Sequence, residues 1–105
     1  MNKFTEGPWK QLPKDPLKIK GTDKLSIACI VSQAGKNGRS YEEKLANARL
    51  ISAAPEMLEA LHIARMQISY DLKTRVQQPT EKEANRLILE VVEKAITRAT
   101  GEFFE

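Results

Sequence analysis

Residues 25–50 read LSIACIVSQAGKNGRSYEEKLANARL, and the spacing of apolar residues changes inside that stretch. Leu25, Ile27, Cys29 and Val31 recur at period two, the spacing that puts every second side chain of a strand on one face. Beyond Ser40 a stripe of apolar residues, Leu45, Ala48, Ile51 and Ala53, recurs at helical spacing. The switch near residue 40 predicts an α+β fold: a short N-terminal antiparallel β-hairpin packed on three α-helices.

Upstream of the switch, LKIK at 17–20 places Leu17 and Ile19 on one face and Lys18 and Lys20 on the other. GTDK at 21–24 separates this run from LSIACIVS, and Gly21 and Asp23 tolerate tight-turn geometry, so the two runs are expected to pair as a hairpin. A two-stranded hairpin is marginal alone in water and needs a partner for its apolar face. Residues 1–39 also hold three of the five prolines, four of the five glycines and the only Trp, a composition of strands and turns.

Downstream, three helices are legible, near residues 41–53, 55–76 and 81–100. Ser40 followed by Glu43 is a capping box that opens the first. Pro55 sits near the middle of NARLISAAPEMLEAL at 47–61, where an interior proline would break the hydrogen-bond ladder. At a helix start its missing N–H has no partner to lose, so Pro55 is read as ending one helix and opening the next. A single long helix kinked at Pro55 is the alternative. Leu58, Leu61, Ala64 or Arg65, Ile68 and Leu72 form the stripe of the second helix. Thr80 with Glu83 is read as a second capping box, and Gly101 as the stop of a third helix with Leu87, Val91, Ala95 and Ile96 along its apolar face.

The chain has 105 residues, within the range of one domain, with 41% hydrophobic and 30% charged residues, so it is expected to fold as a single domain spanning 1–105. The lone Cys29 excludes an internal disulfide and a cysteine-held zinc. No apolar run approaches the ~20 residues of a membrane span, and MNKFTEGPWK lacks a signal-peptide core, so no membrane association is expected.

FTEGPW at 4–9 together with NARLISAAPEMLEAL at 47–61 resembles a family of small bacteriophage and prophage proteins that open with a Phe-Thr-x-Gly-Pro-Trp segment and carry an Asn-Ala-Arg-Leu-Ile-x-Ala-Ala-Pro-Glu-x-Leu-x-Ala-Leu stretch. The resemblance implies a phage accessory gene product, expected in the host bacterial cytoplasm, and constrains origin more than mechanism. It also directs attention to particular residues. Trp9 either pins the N-terminal segment against the helices, where it would be largely buried, or stacks on a ligand. Asn47 and Arg49 flank the stripe of the first helix, where a helix-disfavouring Asn has either a local hydrogen-bonding role or a ligand or partner to contact.

AGKNGRS at 34–40 lies between a strand and a helix N-terminus, the setting of many anion sites, yet its glycines are too close for a P-loop and Arg39 stands where that motif has lysine. It is either a plain turn or a phosphate-contacting loop. Charge is uneven: residues 1–39 carry eight basic against three acidic residues, and residues 80–105 four basic against six acidic. Lys18, Lys20 and Arg39 belong to the basic end, which is either a solvated face that blunts sheet edges or a surface for nucleic acid.

Catalytic sets are thin. His62 is the only histidine, and the carboxylates sit where caps and helix dipoles account for them. The expectation is a non-enzymatic protein without metal or cofactor that acts by binding, blocking a host protein such as a defence protein or sequestering a small anionic signalling ligand. The alternatives are a nucleic-acid-binding regulator using the basic hairpin and an oligomeric assembly factor. The third helix offers more apolar positions than one neighbour covers, which predicts a homodimer through the helical half.

Overall fold

The computed structural model describes residues 3–31, 38–74 and 78–104. The chain runs β1 (Lys10–Gln11), β2 (Lys18–Lys20), β3 (Ser26–Cys29), α1 (Tyr41–Ser52), α2 (Ala54–Thr74) and α3 (Pro79–Thr100), an α+β order. It divides into two compact units, Met1–Glu56 and Met57–Glu105, with the boundary in the first turn of α2.

In the first unit the three strands form one antiparallel sheet in the order β1-β2-β3. The hairpin expected from LKIK and LSIACIVS is therefore extended by a third strand. Only two residues of β1 pair, Lys10 with Lys20 and Gln11 with Ile19, too short a run for a period to show in the sequence. The connection from β1 to β2 is closed by its own backbone: the Leu12 amide donates to the Lys18 carbonyl at 3.0 Å, and the Lys18 amide to the Asp15 carbonyl at 3.0 Å.

The turn at GTDK forms as expected. The Lys24 amide donates to Gly21 O, the Gly21 amide to Leu25 O, and the Leu25 amide to Asp23 Oδ1, each at 3.0–3.1 Å. Its one left-handed residue is Lys24, with φ of 66°.

The face assigned to β3 requires correction. Ile19 is fully buried, and the register places Ala28 opposite it, while Lys18 pairs with Cys29. Cross-strand partners point to the same side of a sheet, so Gln11, Ile19 and Ala28 form the inner face. Leu25, Cys29 and Val31 are exposed, and Ile27 is half-buried. A register shift after Ile19 leaves Ile27 skipped in the pairing, since Lys20 pairs with Ser26, and this bulge rephases the strand. Alternation in β3 is present in the sequence, but Leu25, Cys29 and Val31 face outward and only Ile27 of that set is half-buried.

α1 packs against β1 and β2. Ser40 caps it as expected, its hydroxyl accepting from the Glu43 amide at 3.1 Å. Ala48 is fully buried, with Leu45 and Ile51 half-buried on the same face. Only Ala53 separates α1 from α2, and Pro55 is the second residue of α2, so the proline marks a new helix rather than a kink.

In the second unit, Leu61, Ala64, Arg65, Ile68 and Leu72 of α2 are half-buried, as the stripe predicts. Residues 75 and 76, expected to continue this helix, lie outside the described residues. α3 begins two residues earlier than expected. Pro79 is its first residue, Gln78 is the N-cap without a side-chain bond, and Thr80 is already inside the helix. Proline at the first position starts α3 by the same physics that starts α2. Of the stripe read along α3, Ile96 is fully buried as expected, but Leu87, Val91 and Ala95 are exposed, and Val92 is buried in their place. Gly101 ends the helix with φ of 77°, its amide donating to Thr97 O at 2.8 Å, a left-handed cap that suits glycine.

Arg65 ties α2 both to α3 and to the C-terminal segment. Its Nε donates to Glu93 Oε2 at 2.9 Å, and its guanidinium lies 4.0 Å from the centre of the Phe104 ring. The segment after Gly101 thus returns onto the helices through a cation–π contact.

Candidate functional site

The described part of the first unit contains a concavity of about 320 Å³ between the end of β3 and the opening turns of α1. Cys29, Ile30 and Val31 form its strand wall, and Arg39, Lys44 and Asn47 its polar wall. Each polar residue arrives there for a local reason. Arg39 precedes the cap, and its guanidinium is held by Glu43 four residues on, Nη1 to Oε1 at 2.6 Å. Lys44 and Asn47 are three residues apart on a helix, which puts them on one face, and Ala48 beside them faces the sheet.

Lys44 is 8% exposed, so its stem is packed into the fold. With Arg39, which Glu43 holds, it supplies the cationic groups of the wall. Asn47 adds a group that can both donate and accept, and Ile30 and Val31 supply an apolar wall. A pocket with one apolar side and a few convergent polar groups suits a small anion that carries a flat or apolar body.

Of the residues singled out from sequence, Arg39 and Asn47 are therefore brought together, and Lys18, Lys20, Trp9 and Arg49 do not line this concavity. Lys18 lies on the opposite face of the sheet from Ile19, beside Asp15 at 3.6 Å. Lys20 pairs across the sheet with Lys10. Trp9 is half-buried rather than largely buried, its indole N–H donating to Thr5 O at 2.9 Å, a bond within its own segment. The Arg49 side chain is exposed, while its carbonyl closes the end of α1 by accepting from the Ser52 hydroxyl and the Ala53 amide. Residues 34–37 of the AGKNGRS loop lie outside the described residues.

Lys44 was missed by sequence reading. The available signal was its position four residues before Ala48, a cation on the stripe that faces the sheet. Among the described residues, no group of three or more His, Cys, Asp or Glu side chains could hold a metal ion, and no helix is long and apolar enough to cross a membrane.

The sequence model of one protein family, described as Salmonella phage P22 protein Y8K6, matches residues 1–103. The chain belongs to that family. No curated protein and no solved structure matches it. The phage origin read from FTEGPW and NARLISAAPEMLEAL stands with this membership, and the span matched by the Y8K6 family includes the sheet, all three helices and the concavity.

Proposed function

We propose that this member of the phage Y8K6 family acts by binding rather than by catalysis, and that its concavity sequesters a small anionic ligand of the host. The observation that carries this reading is the convergence of Arg39, Lys44 and Asn47 opposite Ile30 and Val31 in a space of about 320 Å³, near the lower end of volumes usual for small-molecule sites. Two cations and an amide recognise phosphate or carboxylate oxygens, and the aliphatic wall takes the body of the ligand. Occupancy alone would then withdraw the ligand from its host receptor.

Mass spectrometry of small molecules released by denaturing the protein, after purification from infected host cells, tests the proposal. The expected result is a phosphate- or carboxylate-bearing compound in near-stoichiometric amount, absent from an Arg39→Ala/Lys44→Met variant. Equal recovery of the compound from that variant counts against the site, and recovery of none counts against the function.

A second reading rests on the sheet register. Lys10 lies directly opposite Lys20, so the outer face gathers Lys10, Lys18 and Lys20. Such a face would bind nucleic acid through phosphates, and the affinity would then fall steeply with salt. Binding that changes little between low and moderate ionic strength rejects it.

A further inference from the structure

Helix α3 has two apolar sides. Leu89, Val92 and Ile96 are inward, and Leu87, Ile88 and Val91 are 55%, 49% and 68% exposed, with Ala84 and Ala95 exposed beside them. At 100° per residue these five outer residues occupy an arc of roughly 100°. The charges along one edge of that arc are sorted by position. Glu83 and Glu90 precede Val91, and Lys94 and Arg98 follow it, all exposed.

We propose that this face is a homodimer interface, in which α3 of two copies pairs antiparallel about a two-fold axis at Val91. Two copies related in this way place Leu87 opposite Ala95 of the second copy, large against small, and Val91 against its own equivalent. In an antiparallel helix pair each edge meets the same edge of the partner, as the flanking positions of antiparallel coiled coils do. Glu90 then lies beside Lys94 of the second copy and Glu83 beside Arg98, each contact made twice by symmetry. A parallel pair sets this edge against the other edge of the partner helix and forfeits this match. The sorted charges therefore favour a second copy over an unrelated partner, and they select one orientation.

Sedimentation equilibrium from micromolar to about millimolar protein tests the interface, with circular dichroism confirming that each variant keeps its helices. The expected mass rises with concentration toward twice the 11.8 kDa of one chain. Val91→Glu, a change at an exposed position, abolishes the rise. Glu90→Lys weakens association at least tenfold, and adding Lys94→Glu to it restores association, because the reversed charges match again. A single-chain mass at every concentration overturns the proposal and leaves the face to a partner of another sequence. A dimer indifferent to Val91→Glu, or a double variant no tighter than Glu90→Lys alone, overturns it equally.

Discussion

Gly7 lies against the ring of Pro55: a Cβ added at residue 7 would stand 2.8 Å from Pro55 Cβ and 3.2 Å from its Cγ. Non-bonded carbons do not approach so closely, so the backbone passes the proline only because residue 7 has no side chain. The contact joins the FTEGPW segment to the AAPE segment, and gives Pro55 a packing role besides opening α2.

Gly7→Ala is therefore expected to destabilise the protein by about 1–3 kcal/mol, the usual cost of overpacking. Urea unfolding measures it. Pairing the change with Pro55→Gly, which removes the opposing atoms, should cost less than the two single changes added together. Strict additivity would show that the two residues do not press on each other.

Ile19 and Trp9 should rank in an order opposite to their sizes. Ile19 is fully buried at the centre of the sheet, and Ile19→Ala is expected to cost about 2–5 kcal/mol. Trp9 is half-exposed, and Trp9→Ala should cost about 1–2 kcal/mol, in proportion to the smaller area it removes from water. A larger loss for Trp9→Ala, read from the same denaturation curves, would contradict this ranking by burial.

Arg65 holds Glu93 and Phe104 with one side chain. Both ion-pair partners are about two-thirds buried, so Arg65→Ala should cost about 1–2 kcal/mol, combining a partly desolvated pair with a cation–π contact. Arg65→Lys keeps the charge but loses the planar group, and should recover only part of it. Full recovery by lysine would reduce the contact to simple charge attraction.

The parts of this fold that were legible in the sequence are those decided locally. Ser40 caps, Pro55 starts a helix and Gly101 stops one because each acts on backbone groups within four residues of itself. Features decided by distant contacts were read wrongly or not at all. Residues 87–92, LILEVV, are apolar on several sides of α3, so periodicity found Ile96 but had no basis for choosing Val92 over Leu87 and Val91. The exposed side of β3 depends on a bulge in its pairing with β2, which no residue of β3 announces. For the candidate site, Arg39 and Asn47 drew attention through the basic loop and a helix-disfavouring amide. Lys44 did not, since its place in the site depends on the packing of α1 on the sheet.

Isothermal titration of the purified protein with nucleoside monophosphates, diphosphates and cyclic nucleotides tests the binding site most directly. Saturable binding of one ligand per chain is expected for at least one of these anions. Arg39→Ala or Lys44→Met should weaken it at least tenfold, the order of a lost charge-assisted hydrogen bond, and Lys18→Ala, at a residue that does not line the concavity, should leave it unchanged. Absence of heat with every compound, or binding that survives both site substitutions intact, would contradict the claim that this concavity is where the protein works.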